Sequence, residues 1–516
     1  MKTTKRFIAM AAALTLTACA AMPMASFAED PPATPTTYTV TINGNTADKG
    51  THTYGAYQIF TGDLAEDGTL SNIQWGSGIT DTGKTTLGNA ENYAKALTSE
   101  NAAAKAAELA SYLTSPENTG STSIAGLTGG YYLIQDTVDP SGEKPSSKTR
   151  YILKVVQNTE VNVKSSVPSV VKKVKDINDS DATPTLSGLQ DSADYDIGDS
   201  IPYTITATIG DGINNFSSYS FEFHDNMSAG LSMDDDVAWK IEIGNRDITS
   251  NFTRTKDGNV YTWKVTDNDL MSYTYTENAE EKTGTLSAGD TVVLTYNAYL
   301  NENAVVGQTG NPNEVWLKFD NNPNSSGQGN PAGETPKDKN KVFTYKTVFN
   351  KVEPDGESTK PLTGADFKLE KKVNSVWVEV TGLGGKGDAH PTKIGDSTGS
   401  SFAFTGLDDG DYKLTEIKTP KGYNTIEPIE FTITAEHDIL SDNPALTALE
   451  GTDGDKFTMT AELAQGELSA DIVNEKGSNL PATGGIGTTL FILGGGCAAG
   501  IAGIYLISKK KTREEE

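Results

Sequence analysis

Apolar and polar residues alternate at a period of two along most of the chain, from Tyr38 to Asn474. Val, Ile, Thr and Tyr recur at every second position, and turn residues such as Asp257-Gly258-Asn259 and Asp409-Gly410 separate the runs. Successive side chains of a strand point to opposite faces, so each run predicts a strand with one buried face. We therefore predict a mainly β protein built of β-sandwiches in tandem.

One segment departs from this alternation. Residues 89–113 are rich in Ala, Glu and Lys, and Ala106, Leu109 and Leu113 lie on one helical stripe. Ser99 is a candidate N-cap. The segment predicts a helical insertion in the first domain.

With 516 residues, the chain is too long for a single hydrophobic core. Residues 321–341 are packed with Asn, Pro, Gly, Ser, Asp and Lys, a composition typical of a linker. A second boundary falls at residues 164–168, where one strand-like run stops before the next begins. These breaks divide the chain into an N-terminal domain (29–164), a middle domain (165–333) and a C-terminal domain (334–476).

The first 28 residues have the pattern of a secretion signal. Basic residues precede an apolar run from Phe7 to Ala21, and Ala28 ends a stretch of small residues typical of a cleavage site. Leu16-Thr17-Ala18-Cys19 also fits a lipoprotein processing site, which would leave Cys19 acylated. Either processing route predicts export.

The last segment, residues 477–516, has three parts. Leu480, Pro481, Ala482, Thr483 and Gly484 precede an uncharged apolar stretch at 486–508 that is long enough to cross a bilayer, and basic residues follow it. This order resembles the cell-wall sorting signal of Gram-positive surface proteins. The resemblance implies that a sortase cleaves between Thr483 and Gly484 and joins Thr483 to an amine. The expected location is the cell surface, in covalent attachment to the cell wall, and the alternative is an ordinary membrane anchor.

Charge and composition exclude several classes of function. A net charge of −27 repels phosphate backbones, so we expect no nucleic-acid partner. Cys19 and Cys497 both lie in the removed ends, so no disulfide braces the mature chain. No phosphate loop, zinc motif or dinucleotide fingerprint is present, and we expect neither an enzyme nor a cofactor or metal site. Spacing alone does not exclude a Ser-His-Asp hydrolase. The acidic runs at 176–181 and 234–236 lack the spacing of an EF-hand, and we interpret them as solvated turns.

Three polar residues of the C-terminal domain fall on apolar strand faces. Glu416 shares a face with Leu414, Asn474 shares one with Ile472, and Lys351 shares one with the apolar residue two positions before it. Burial of each group alone would cost several kcal/mol, so the three must compensate one another. Burial also favours a neutral lysine amine, which is a nucleophile. With a protonated Glu416 polarising the carboxamide of Asn474, attack by Lys351 would release ammonia and form an isopeptide bond.

This pattern resembles the Cna B-type domains of Gram-positive surface proteins, which form such bonds spontaneously. The run Tyr412-Lys-Leu414-Thr-Glu416-Ile-Lys-Thr-Pro420-Lys-Gly422-Tyr423 matches their E-box motif and departs from it at Ile417 and Thr419. The resemblance implies immunoglobulin-like sandwiches. The alternative is a buried ion pair without covalent chemistry.

The middle domain repeats the pattern with Asp225 as the acid, since this residue alternates with aromatic side chains. Asn313 is the expected carboxamide, and Asn311 is disfavoured because a proline follows it. The reactive amine is ambiguous among Lys172, Lys173 and Lys175. We choose Lys173, because Val171-x-Lys173-Val174 overlays Phe349-x-Lys351-Val352.

The N-terminal domain lacks the necessary groups. Gln135 occupies the acid position of an E-box-like start, and the first strand offers no lysine. We predict no cross-link in this domain.

Signal, three domains, E-box and sorting signal together resemble the SpaA-type major pilins of Gram-positive bacteria. The resemblance implies a pilus shaft subunit in which Thr483 of one copy is joined to a lysine at the first domain boundary of the next. Lys164 occupies that boundary, although the family's Tyr-Pro before this lysine is absent. Implied partners are pilin-specific and housekeeping sortases, other copies of the chain, minor tip and base pilins, and peptidoglycan. The alternative is a monomeric wall-anchored adhesin, and the sequence names no host ligand.

Overall fold

The computed structural model describes residues 36–142, 145–164, 167–323, 332–383, 389–453 and 458–477. The predicted secretion signal, the sorting residues Leu480, Pro481, Thr483 and Gly484, and the predicted membrane span lie outside these ranges. Among the helices of the described ranges, none combines the length and the apolar character needed to cross a membrane. Strands dominate the described residues, which confirms the mainly β prediction.

The N-terminal domain contains two sheets and a group of short helices. The described elements are β1 Thr37–Asn43, β2 Gly50–Thr51, β3 Tyr54–Leu64, β4 Leu70–Trp75, α1 Asp81–Leu87, α2 Ala90–Lys95, α3 Ala102–Ala110, β5 Asn118–Gly120, β6 Ser123–Thr128, β7 Gly130–Asp136, β8 Ser141–Gly142, β9 Arg150–Val155 and β10 Thr159–Asn162. One sheet has the order β10-β1-β6, the other has the order β4-β3-β7-β9 with β5 beside β3, and β2 pairs with β8. Two apolar clusters fill the domain, one of which lies under the helices.

The helical insertion is present over the predicted segment, as the two helices α2 and α3, but Ser99 is not an N-cap. Asn89 caps α2 by accepting a hydrogen bond from the Asn92 backbone N–H. Between α2 and α3, the Asn101 side chain accepts from the Thr98 N–H at 2.8 Å and donates to the Ala96 carbonyl at 2.8 Å. Such local side-chain bonds compete with the helical ladder, so the helix breaks there and Ser99 caps nothing.

The middle domain is a sandwich of two sheets around a large aromatic core. Its elements are β11 Ser169–Val174, β12 Ser192–Asp194, β13 Ile201–Thr208, β14 Phe221–Met227, β15 Leu231–Ser232, β16 Trp239–Ile243, β17 Arg246–Asp247, β18 Phe252–Asp257, β19 Val260–Val265, β20 Ser272–Glu277, β21 Glu280–Thr285, β22 Thr291–Leu300, β23 Asn311–Phe319, β24 Gly333–Glu334 and β25 Asp338–Phe343, with 3-10 turns at Ile213–Asn215, Thr249–Asn251 and Thr266–Asn268. One sheet runs β11-β13-β22-β16-β17 and the other runs β12-β25-β23-β14-β19-β18.

The predicted boundary between residues 333 and 334 is displaced. β24 and β25 both pair with β23, so the middle domain extends to Phe343. The polar side chains of Lys341 and its neighbours are typical of a linker. Their backbone N–H and C=O groups nevertheless pair with β23 and add a strand to the sheet. Composition alone does not show that contribution.

The C-terminal domain is a second sandwich. It comprises β26 Tyr345–Asp355, β27 Ser358–Pro361, β28 Asp366–Val373, β29 Val376–Glu379, β30 Thr392–Ile394, β31 Ser401–Leu407, β32 Gly410–Lys418, β33 Ile429–His437, β34 Leu446–Thr452, β35 Thr460–Glu462 and β36 Glu467–Val473, with 3-10 turns at Val380–Gly382 and Leu463–Gln465. The sheets run β30-β31-β26-β36-β35 and β29-β28-β32-β33-β34. β26 and β36 are parallel neighbours, with Lys351 opposite Ile472. A pull on the two ends of the domain therefore shears this pair.

The middle and C-terminal domains share a polar junction. Backbone hydrogen bonds join Asp191 N to Ile439 O at 2.9 Å and Asn374 N to Asp179 O at 3.0 Å. Lys371 of β28 lies fully buried among carboxylates of both domains, with its Nζ 2.7 Å from Asp196 Oδ2. The two sandwiches are thereby fixed to each other by backbone contacts and by buried charge.

Candidate functional site

The C-terminal domain brings Lys351, Glu416 and Asn474 together at one end of its first and last strands. Lys351 is on β26, Glu416 is on β32, and Asn474 directly follows β36. Lys351 and Asn474 are fully buried, and Glu416 is 5% exposed. The Lys351 ammonium contacts Asn474 Oδ1 and lies 3.6 Å from Glu416 Oε1. Asn474 Nδ2 donates to Glu416 Oε1 at 2.9 Å. The three groups form a closed set in which each contacts the other two.

The surroundings of this cluster set its chemistry. Burial lowers the pKa of Lys351 to about 8, against the opposing effect of the Glu416 carboxylate. The second carboxylate oxygen of Glu416 accepts from the Ile426 N–H at 3.1 Å and from the Thr419 hydroxyl at 3.2 Å. These bonds hold Oε1 toward the carboxamide. An appreciable fraction of neutral amine therefore faces a carboxamide whose nitrogen is already bonded to an acid.

In the middle domain the structure corrects the choice of lysine. Lys172 is fully buried, and its Nζ contacts Asp225 Oδ2, whereas Lys173 is 26% exposed and pairs with Asp191. The overlay that favoured Lys173 is out of register by one residue, and a shift of one residue exchanges the two faces of a strand. Val171, which the overlay places inward, is 44% exposed.

Asn313 lies in the same buried cluster, and Asn311 does not. The side chain of Asn311 makes its hydrogen bonds elsewhere: it accepts from the Val305 N–H at 2.8 Å and donates to the Val342 carbonyl at 3.1 Å. Asn313 Nδ2 instead donates to the hydroxyl of Tyr296 at 3.0 Å. Burial lowers the pKa of Lys172, although Asp225 opposes the shift. The middle domain therefore holds the same three functional groups in the same kind of environment.

Tyr296 is the residue of this site that sequence reasoning missed. Its hydroxyl is 2.7 Å from Lys172 Nζ and 2.7 Å from Asp225 Oδ2. Tyr296 is an inward residue of β22, between the buried Leu294 and Ala298, so its burial could be read from the alternation. Its contact with Lys172 could not be predicted in this way, because the two residues are 124 positions apart in the sequence.

The described residues of the N-terminal domain show no comparable cluster. Gln135 is half-buried, and the inward acid of β7 is its neighbour Asp136. Asp136 pairs with His52 Nδ1 at 2.8 Å, and Asp48 lies 3.1 Å from the other ring nitrogen. Burial opposes the charge of His52, but the two carboxylates raise its pKa to about 9. Among the described residues, the hydrogen bonds of Asp136 to His52 and to the Thr149 N–H involve neither a lysine nor a carboxamide.

Lys164, the predicted acceptor, is exposed just after the end of β10. Its position at the boundary between the first two domains leaves its side chain open to solvent. Its amine is therefore accessible to a partner from solution.

The run at 176–181 is not a set of solvated turns. Asp176 lies 3.5 Å from His437 Nε2 of the C-terminal domain, and burial raises the pKa of this carboxyl to about 6. Asp179 lies 2.7 Å from Lys371 Nζ. The run therefore supplies charge to the domain junction. At 234–236, by contrast, Asp235 and Asp236 are exposed.

Two family models match parts of the chain. The Cna-B-like domain of Gram-positive pilin backbone subunit 2 matches residues 197–323. The SpaA prealbumin-like fold domain matches residues 346–443. The chain is 27% identical over 413 residues to the trypsin-resistant surface T6 protein of Streptococcus pyogenes serotype M6, covering 67% of this chain and 70% of the relative. Over these ranges the chain is similar to domains of Gram-positive pilin backbone subunits.

Two solved structures of pilins align with most of the chain. The T6 backbone pilin of Streptococcus pyogenes aligns with a TM-score of 0.49 and 18% identity over 88% of this chain and 100% of that one. The major pilin SpaA of Corynebacterium diphtheriae aligns with a TM-score of 0.41 and 14% identity over 86% of this chain and 100% of that one. The matched domains contain both buried clusters, apart from Lys172 and Asn474, which flank them.

Proposed function

We propose that this chain is the shaft subunit of a sortase-assembled pilus on the surface of a Gram-positive cell, and that two internal isopeptide bonds brace it. Homology to backbone pilins supports the assignment as a shaft subunit. The proposed internal bonds are supported mainly by one observation. The buried Lys351 amine contacts the carboxamide of Asn474, whose nitrogen donates a hydrogen bond to Glu416.

The C-terminal bond forms by attack of neutral Lys351 on the side-chain carbon of Asn474. Glu416 in its protonated form donates to the carboxamide and then delivers its proton to the departing nitrogen. The proton that the Lys351 amine loses on attack then passes to Glu416, which returns to its protonated form. Lysine amine and asparagine carboxamide thus become an amide and free ammonia, with no outside reactant. The reaction is autocatalytic and single-turnover, which is consistent with a structural protein.

The middle-domain bond forms between Lys172 and Asn313 by the same exchange, with Asp225 as the acid. Burial lowers the pKa of both lysines, which favours the neutral, nucleophilic amine. The N-terminal domain, which offers no lysine beside a buried carboxamide among its described residues, forms no bond.

The bonds change how the domains respond to force. The Lys351 and Asn474 side chains are 123 residues apart in sequence but sit at the same end of two parallel strands. Tension that enters β26 passes through the bond to the chain after β36, and the residues in between carry no load. By analogy with a disulfide, a closed loop of this size restricts the unfolded chain by about 5 kcal/mol. Resistance to extension and proteolysis is the expected benefit in a fibre.

Polymerisation joins Thr483 of one copy to Lys164 of the next. A pilin-specific sortase cleaves after Thr483, and the exposed Lys164 amine displaces the enzyme from the Thr483 carbonyl. A housekeeping sortase transfers the finished polymer to peptidoglycan, and minor pilins cap its tip and base. A monomeric wall-anchored adhesin remains the second candidate, because Lys164 lacks the Tyr-Pro that precedes the acceptor lysine of the related family.

The experiment that separates these candidates replaces Lys164 by Arg in the native host. We expect the ladder of high-mass polymers in cell-wall extracts to disappear, leaving monomer attached to the wall. Lys421→Arg, at an exposed lysine of the C-terminal domain, is the matched control and should leave the ladder intact. A ladder that persists in Lys164→Arg overturns the acceptor, and a wild-type extract with monomer alone favours the adhesin.

A further inference from the structure

The middle-domain cluster differs from the C-terminal one in how the amine reaches the carboxamide. Lys351 touches Asn474 directly. Among the described residues, Lys172 has no hydrogen bond with Asn313, and the two are linked through the hydroxyl of Tyr296. The tyrosine oxygen therefore contacts the amine, the acid and the carboxamide together.

Tyr296 is held rigidly in this position. It lies on β22 between β13 and β16, and its ring stacks on Tyr203 at 5.3 Å and on Trp263 at 5.4 Å. Its side chain is buried, and its neighbours restrict rotation of the ring. The hydroxyl is thus held toward the cluster by stacking of the ring on two aromatic neighbours.

The hydrogen bonds of this hydroxyl are those of a proton relay. The oxygen accepts from Lys172 Nζ at 2.7 Å and from Asn313 Nδ2 at 3.0 Å, and it donates to Asp225 Oδ2 at 2.7 Å. Tyrosine can donate and accept at once, which neither the ammonium nor the carboxylate can do. Asp225 Oδ1 and Asn313 Oδ1 are both buried without a hydrogen-bond partner among the described residues.

The length of the acid explains why a relay is needed. In the C-terminal domain, Glu416 bonds the carboxamide nitrogen itself. Asp225 is shorter by one methylene and contacts the tyrosine hydroxyl rather than Asn313 Nδ2. The acid of the middle domain therefore has no direct path to the nitrogen that must leave as ammonia.

We propose that Tyr296 is a further catalytic residue of the middle domain, which carries the proton from the acid to the departing nitrogen of Asn313. This inference rests on the proposed bond between Lys172 and Asn313. As the bond from Nζ to the carboxamide carbon forms, Tyr296 gives its proton to Nδ2 and is reprotonated from Asp225, which takes the proton that Lys172 loses. The bond between the carbon and Nδ2 then breaks, ammonia leaves, and tyrosine and acid return to their starting states.

The test compares Tyr296→Phe with Tyr261→Phe in the chain of residues 29–483. Tyr261 is a matched control, because it is buried in the same aromatic stack and its hydroxyl donates to the Met233 carbonyl at 2.9 Å, away from the cluster. The readout is the rate of ammonia loss in freshly refolded protein, with the peptides that contain Lys172 and Asn313 mapped by mass spectrometry. We expect Tyr296→Phe to slow this bond by about 10²-fold or more, as removal of a proton-transfer group typically does. Tyr261→Phe should react at the wild-type rate.

A rescue variant separates catalysis from a loss of packing. In Tyr296→Phe combined with Asp225→Glu, the longer acid reaches the carboxamide as Glu416 does, and we expect most of the lost rate to return. This double variant also carries the test if the single variant does not fold. Wild-type rate in Tyr296→Phe, or failure of the double variant to react, overturns the role of Tyr296. Wild-type protein without any bond between Lys172 and Asn313 overturns the proposed cross-link instead.

Discussion

The middle and C-terminal domains place the same three functional groups in two different geometries. In the C-terminal domain a glutamate bonds the carboxamide nitrogen, and the amine touches the carboxamide oxygen. In the middle domain the acid is an aspartate, and Tyr296 stands between the amine and the carboxamide. The same three functional groups therefore offer two hydrogen-bond routes from acid to carboxamide, one direct and one through a tyrosine hydroxyl.

A third buried lysine, Lys371, has different neighbours from Lys172 and Lys351. Lys371 is as inaccessible as Lys172, but it contacts the carboxylates of Asp196, Asp408 and Asp179 and no carboxamide. Burial opposes its charge, yet the carboxylates raise its pKa well above the usual value. In Lys351 the balance is reversed, and the pKa falls to about 8. Burial therefore favours the neutral amine only where few negative charges surround it.

The largest expected effect follows removal of either acid. Asp225→Asn should abolish the middle-domain bond and Glu416→Gln the C-terminal bond, because each acid serves only its own domain. Each variant should retain one more ammonia mass than wild type and lose the roughly 5 kcal/mol of restriction on its unfolded chain. Intact-mass spectrometry and thermal unfolding measure the two effects. Loss of both bonds in one variant would contradict the independence of the clusters.

Lys371→Met should be the next most damaging change. It leaves Asp196 and Asp408 buried without their cation, which costs about 3–5 kcal/mol when one partner of a buried pair is removed. Lys421→Met, at an exposed lysine, should change stability by about 0.5 kcal/mol or less. Denaturant unfolding of the two variants provides the comparison. Neither should alter the number of ammonia masses lost, and a change in that number would connect the junction to the reaction.

The rate of C-terminal bond formation should depend on pH. With a pKa of about 8, Lys351 is mostly ammonium at lower pH and mostly neutral amine at higher pH. The rate should therefore rise about tenfold per pH unit up to roughly pH 8 and level off above it. Refolding at a series of pH values, followed by mass analysis of the mapped peptides, gives the profile. A rate that falls as pH rises to 8 would assign the limiting step to loss of the acid's proton.

The smallest effect should come from Lys173→Ala. Lys173 pairs with Asp191 at a partly exposed site, so we expect a loss of about 1 kcal/mol or less and full ammonia loss from the middle domain. Lys172→Ala should block that loss completely. The pair of variants distinguishes the two neighbouring lysines by mass alone. The opposite outcome would restore the assignment of Lys173.

Periodicity predicted the β architecture, and strand alternation placed Asp225, Glu416, Lys351 and Asn474 on buried faces, as the structure has them. These predictions succeeded because an inward face is a local property of a strand. The choice of Lys173 failed because β11 carries adjacent lysines at 172 and 173, and only packing shows which of the two is inward.

Other features depend on contacts that are distant in sequence. Tyr296 meets Lys172 across 124 residues, and the acidic run that contains Asp176 and Asp179 meets its partners in another domain. A charged run reads as solvent-exposed until the surface that covers it is known. The strand β25 could likewise not be predicted from side chains, because it pairs with β23 through backbone groups that every residue type except proline has in full.

The intact mass of the folded chain of residues 29–483 tests the central claim most directly. Two self-formed bonds predict a mass lower than the formula by two ammonia molecules, with one cross-linked peptide pair containing Lys172 and Asn313 and the other containing Lys351 and Asn474. A folded protein with its full formula mass would contradict the account.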